Sequence, residues 1–259
     1  MNIVEHNRAA WKNEVEKENR WTLPVTTEEV NNARKGNFNI LLTPTIYVPK
    51  EWFGILQNKK VLCLASGGGQ QGPVLAATGA IVTVFDNCYE QLEKDRLVAN
   101  REHLNIETIQ GDMSDLSCFN DETFDLIFHP VSNCFIDNPQ SVWNECNRIL
   151  KNNGVLLAGF CNPLTYIFDL NRWNNDKKME VKYSIPYSDL EQLPKEELED
   201  RINRKQTLEF GHSLESQIGG QIIAGFLING FYEDISNGDL LDPYIKTFIA
   251  TKAVKKSNF

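Results

Sequence analysis

The 259-residue sequence predicts an α/β fold: a largely parallel sheet with helices on both faces. Short apolar runs recur at 60–65, 81–86, 107–110, 124–128 and 155–160, with helix-like stretches between them. A glycine cluster, Gly67, Gly68 and Gly69, follows the first run, where a strand turns sharply into a helix. Two acids, Asp86 and Asp112, stand at or just past the ends of the second and third runs, on the edge where open parallel sheets take ligands.

Residues 1–56 stand apart from this rhythm. A helix is expected over 7–19, and Trp21, Pro24, Pro44, Pro49 and Trp52 punctuate the remainder of the segment, as in a stretch packed onto something else. Pro73 suits the first turn of a helix over 73–78, since its missing N–H would have no partner there. Charged residues over 89–103 and an apolar pattern over 140–150 predict two further helices. Residues 161–212 lose the sheet rhythm; Pro163, Pro186 and Pro194 interrupt them, and the charged run 195–205 reads as a solvated helix with pairs such as Glu197 with Arg201. A helix over 214–229 and strands over 231–235 and 244–254 close the chain. The organisation is a cap segment 1–56, a ligand-binding core 57–160, a lid or substrate-side insertion 161–212, and a closing section 213–259 that completes the sheet.

The formal charge is −9 and the sequence pI about 5.1, which argues against a grip on nucleic acid and for a small-molecule partner. No eighteen-residue apolar stretch and no basic-then-apolar leader stands in the sequence, so a soluble, cytoplasmic protein without membrane association is expected. Six cysteines, Cys63, Cys88, Cys118, Cys134, Cys146 and Cys161, form no C-x-x-C and mostly lie in or beside apolar runs, as reduced thiols do; no metal site is expected. The sequence sets no oligomeric state.

Gly67, Gly69 and Gly72 satisfy a G-x-G-x-x-G dinucleotide pattern. Shifted two residues upstream, Ala65, Gly67 and Gly69 fit the looser loop of S-adenosylmethionine (SAM) enzymes. The separating strings lie further on: "QGDMSDL" at 110–116 and "NRILKNNGVLLAGF" at 147–160. Together these resemble the class I SAM-dependent methyltransferases, in which a Gly-Asp pair after the third strand flanks adenine and a Leu-Lys-Pro-Gly-Gly-like turn precedes the fifth. "VLCLASGGGQQGPVLAATGA", "FDLIFHPVSNCF" and "HSLESQIGGQIIAGF" resemble a bacterial group within that class, over nearly the whole chain. Two departures stand out. Cys63 occupies the place of an acid that organises the loop, and Ala65 that of its first glycine; Asn152 and Asn153 replace Pro and Gly in the later turn, where Asn tolerates left-handed geometry.

The resemblance implies a Rossmann-like sheet of seven strands, mostly parallel with one antiparallel strand near an edge, an N-terminal cap and an insertion after strand 5. It implies SAM as cofactor, S-adenosylhomocysteine as product, and in-line methyl transfer to a small molecule. The cofactor-binding residues it implies are Ala65, Ser66, Gly67, Gly68, Gly69, Asp86 on the ribose hydroxyls, Asn87 (adenine edge or plain turn residue), and Gly111, Asp112 and Met113 around adenine. His129 and Asn133 follow the fourth strand at the ligand edge; His129 is a candidate cofactor contact and general base, or a histidine that bonds backbone, and Asn133 is a substrate-side candidate. Trp11, Tyr166 and His212 are substrate-side candidates, with Ser213 as the alternative, a helix cap. Two other readings stay open: a nucleotide-dependent oxidoreductase on the literal glycine pattern, and a non-catalytic SAM-binding or regulatory protein.

Overall fold

The computed structural model describes residues 1–169 and 172–256; residues 170, 171 and 257–259, which fall in the expected insertion and closing section, lie outside the described residues. The chain runs α1 (Ile3–Glu16), α2 (Thr27–Arg34), α3 (Lys50–Phe53), β1 (Lys60–Leu64), α4 (Gln71–Ala77), β2 (Ile81–Asp86), α5 (Tyr89–Glu102), β3 (Ile106–Gln110), β4 (Phe124–His129), α6 (Pro139–Ile149) and β5 (Leu150–Cys161). The insertion holds β6 (Tyr187–Ser188), α7 (Asp189–Gln192), α8 (Lys195–Asn203) and β7 (Phe210–Gly211); α9 (Gly220–Ile223), β8 (Phe226–Asp234) and β9 (Phe248–Lys255) end the chain.

Seven strands form one sheet in the order β3-β2-β1-β4-β5-β9-β8. β1 to β5 are parallel, and β9 runs antiparallel between β5 and β8. This is the seven-stranded arrangement the resemblance implies. Strand alternation divides the core in two: Val61 and Cys63 of β1 pack with Trp52, Phe53 and Leu75, whereas Leu62 and Leu64 pack with Trp143 and Ile149. The chain leaves β1 toward β2 and β3 on one side and returns to β4 on the other. That reversal opens a crevice at the carboxyl ends of β1 and β4.

Several boundaries differ from expectation for local reasons. Asn2 caps α1, accepting from the Glu5 N–H, so the helix starts at Ile3. The helix expected over 214–229 ends at Ile223, where Gly225 takes φ +103° and releases the chain into β8. Within it, Gly220 lies flat on α6: a Cβ there would sit 2.8 Å from Trp143 Cδ1. Asn153 adopts the left-handed conformation expected of it. Arg201 turns from Glu197 to the buried Asp189, 3.3 Å away, while α8 pairs Lys195 with Glu199 and Asp200 with Arg204.

Residues of 1–56 line the cavity at this crevice, and no described residue of 161–212 does. Asn7 of α1 donates to the carbonyls of Phe135 and Leu208 and accepts from the Leu208 N–H, so the insertion braces α1 from behind. Among the described residues, no helix is long and apolar enough to cross a membrane.

Candidate functional site

At the crevice a cavity of about 360 Å³ opens, within the range of small-molecule sites. Its lining comes from four places: the leader, the loops after β1 to β3, the loop after β4, and Ser236 with Phe248. Of the expected residues, Trp11, Ala65, Ser66, Gly67, Asp86, Asn87, Gly111, Asp112 and Met113 line it.

The glycine loop is built from both sides. Ala65 holds φ +47°, the left-handed region its glycine counterpart would occupy freely. Gly67 N–H donates to Asp86 Oδ2 at 2.9 Å, and a Cβ on Gly67 would lie 2.7 Å from Gln91 Cβ. Gly68 and Gly69 instead face the leader and α5: added Cβ atoms would sit 2.8 Å from the Trp21 and Lys94 carbonyl oxygens respectively. Their φ values, +121° and +73°, also favour glycine. Gly72, the last glycine of the literal dinucleotide pattern, is a packing residue, since a Cβ there would meet Val84 at 2.6 Å.

Sequence reading missed Asp95. This residue of α5 is fully buried, and its Oδ2 accepts from the Gly68 N–H at 3.0 Å. Burial pushes its carboxyl up to about 8, against the Gly69 and Gly68 N–H groups that favour the charge. It supplies, from the opposite side, the loop-organising oxygen that Cys63 lacks; burial also raises the Cys63 thiol and keeps it protonated. The signal was legible, for Asp95 shares the core face of α5 with Leu92, Val98 and Ala99, where a carboxyl needs a partner.

Asp86 accepts from Gly67 N–H and, through Oδ1, from Cys88 N–H at 2.8 Å. Burial raises its pKa. A carboxylate offers about four lone-pair sites, so capacity for hydroxyl donors remains. Gln91 also lines the cavity, and its buried Oε1 has no hydrogen-bond partner among the described residues. Asp112 closes an Asx turn, accepting from Ser114 N–H at 2.9 Å. Asn87 ties down the cap: it donates to the Val4 carbonyl and accepts from Arg8 Nε, at 2.8 and 2.9 Å. Its amide is committed to α1.

Besides Gly68 and Gly69, four expected residues lie outside the cavity lining. His129 is wholly buried, its Nε2 2.7 Å from Asn133 Oδ1 and its Nδ1 3.1 Å from the Leu64 carbonyl oxygen. Burial lowers its pKa, and its ring lies edge-on to Trp143. Asn133 is equally buried and donates to Gln217 Oε1 at 3.0 Å. His212 Nε2–H donates to the Asn133 and Ile136 carbonyls, while Ser213 Oγ accepts from Ser216 N–H as a cap should. Tyr166 stacks on Tyr187 and donates to Glu209 at 3.1 Å. None of the four lines the cavity. For His129, Asn133 and His212 the reason is shared, since polar groups at and after the end of β4 satisfy one another; Tyr166 is held by Tyr187 and Glu209.

Loops from three adjacent parallel strands, with an acid ending the second strand and a glycine turn after the first, converge on one cavity of a seven-stranded sheet in which β9, next to the edge, is antiparallel. This defines a methyltransferase-type Rossmann fold. Residues 62–158 match the family described as methyltransferase domain. The chain is 53% identical over 253 residues to the uncharacterized methyltransferase YbaJ of Bacillus subtilis (strain 168), covering 98% of each. It is 35% identical over 111 residues to a ubiquinone biosynthesis O-methyltransferase of Glaesserella parasuis, covering 41% of this chain and 47% of that one. A solved SAM-dependent methyltransferase from Mesorhizobium loti shares the fold with TM-score 0.59 at 12% identity, over 80% of this chain and 95% of that chain. The chain belongs to the class I SAM-dependent methyltransferases. Membership sets aside the oxidoreductase and non-catalytic readings.

Proposed function

We propose that this chain binds SAM in the 360 Å³ cavity and transfers its methyl group to a small molecule held under the N-terminal cap, within the cytoplasm. The observation that carries this is the convergence of Gly67, Asp86, Gly111, Asp112 and Met113 on that one cavity. When bound, SAM supplies an already activated methyl on sulfur, so the protein's task is to position and to exclude water.

Each residue has a role in that task. Asp86 accepts from the ribose hydroxyls with its remaining lone pairs, and Met113 and Asp112 bracket adenine. The orphan Gln91 Oε1 fits a ligand O–H or N–H, and the bare Gly67 lets Gln91 and Asp86 pack against the loop beside the cavity. Ser66, Gln70 and Gln71 offer polar groups at the end of that loop. Residues 1–56 serve as the cap, 57–160 as the cofactor core, 161–212 as the brace behind α1, and 213–259 as the sheet's completion.

Calorimetric titration with S-adenosylhomocysteine and with NADH tests the reading. Uptake of the first with no heat from the second is expected; the reverse overturns it. In the same assay His129→Ala should leave the Kd for S-adenosylhomocysteine within about threefold while lowering the unfolding free energy in urea by about 2–3 kcal/mol. It removes a fully buried ring and the N–H it gives to a buried oxygen, without touching the cavity.

A further inference from the structure

Part of the cavity is lined by the leader, the loop after β4 and Phe248 of β9. There the walls are apolar: Trp11, Trp21, Leu41, Leu42, Phe135 and Phe248. Residues 41–44 form a strap over this side, held by Val131 N–H on the Leu42 carbonyl and by Gly159, where a Cβ would lie 2.3 Å from that same oxygen. Asp234 fastens the strap further, accepting from Thr43 Oγ, Thr45 N–H and Ile46 N–H at 2.7 to 3.0 Å.

One cation faces this chamber. The ionisable side chains lining the cavity, among the described residues, are Arg20, Asp86 and Asp112. Arg20 is tied to the strap side: its Nη2 donates to the Pro44 carbonyl at 3.3 Å, and its guanidinium lies over the Trp21 ring, 4.1 Å from the centroid. Gln70 fixes the backbone beneath by donating to the Arg20 and Leu23 carbonyls. A guanidinium has five N–H donors in a planar fork, and this hydrogen bond uses one. Stacked on an indole, it is oriented before any ligand arrives. Arg20 also lines an adjoining cavity of 410 Å³, from which a solute would meet it first.

We propose that the methyl acceptor is a small carboxylate-bearing molecule with an apolar body, its carboxylate held by Arg20 and its body between Trp11, Trp21 and the strap. This rests on the SAM reading above. Arg20 is exposed, so a ligand that covers it must replace the water on its guanidinium; a carboxylate does so with paired, charge-assisted hydrogen bonds, whereas a neutral group leaves those donors unsatisfied.

Phenylacetate and phenylacetamide share a body and differ in charge, so they serve as probes. Each is titrated by ligand-observed NMR into protein saturated with S-adenosylhomocysteine, for wild type, Arg20→Ala and Arg20→Lys. Wild type should bind the acid at least about tenfold tighter than the amide, Arg20→Ala should abolish the difference, and Arg20→Lys should retain part of it, with S-adenosylhomocysteine affinity unchanged within about threefold throughout. Equal or tighter binding of the amide, binding of neither probe, or a loss of S-adenosylhomocysteine affinity in Arg20→Ala matching the loss of acid would overturn the proposal. Failure of wild type to bind S-adenosylhomocysteine would instead overturn the SAM reading itself.

Discussion

Replacement of Asp86 by alanine should raise the Kd for S-adenosylhomocysteine about 100-fold or more, the largest effect expected of any substitution in the cavity. Hydrogen bonds to a charged group contribute about 1.5–3 kcal/mol each, and two ribose hydroxyls compete for this one carboxylate. The same oxygens hold Gly67 N–H and Cys88 N–H, so the variant also loosens the glycine turn. Asp86→Asn keeps an acceptor oxygen without the charge and should fall between. A Kd for the alanine variant within threefold of wild type, measured calorimetrically on protein that melts as a single transition, would show that the cofactor lies elsewhere.

The second large effect is a pH dependence. In an unfolded chain an aspartate titrates near about 3.9, whereas in the folded protein burial pushes Asp95 up to about 8. The folded state therefore holds this proton more tightly. Its contribution to stability is fully present below about pH 4, declines as pH rises, and is lost once pH passes about 8, with a slope approaching about 1.4 kcal/mol per pH unit between. Asp95→Asn is neutral throughout and still presents an oxygen to Gly68 N–H. Between pH 5 and 7 its unfolding free energy should fall by about 2 kcal/mol less than that of wild type, as urea denaturation would record. Parallel curves for the two proteins would refute a buried, protonated Asp95. Asp95→Ala leaves the loop's N–H groups without that acceptor and should weaken S-adenosylhomocysteine binding about tenfold.

The two acids show how differently the site is written into the chain. Asp86 is legible because it ends a β-branched run one strand after a glycine turn, and both features are local. Asp95 matters through Gly68, 27 residues away, and only packing of α5 against the loop joins them. Its place on an apolar helix face announces a buried carboxyl without saying which backbone it will meet. His129 errs the other way. It stands at the end of β4 as its sequence position implies, yet its ring turns inward, because Leu64 and Asn133 offer oxygens there. A strand's period tells which side of the sheet a residue takes, whereas the reach of its side chain at a strand end depends on the adjoining turn.

The same division holds for the cap. Nothing local distinguishes residues 1–56 from 161–212 as cover for the cavity, since both are aromatic, proline-punctuated and off the sheet rhythm. What differs is tertiary: Asn87 fastens α1 beside the cavity, and Asn7 ties α1 to Leu208 of the insertion.

What the amino-acid order determined alone is the alternating sheet, its glycine turn and the acids at its edge, because strand period, turn chemistry and spacing act over a few residues. What tertiary structure decided is which buried carboxyl steadies the turn, which histidines turn away from the cavity, and that Arg20 lines it. Those outcomes depend on contacts between distant segments, and such contacts exist only once the cap has closed over the sheet.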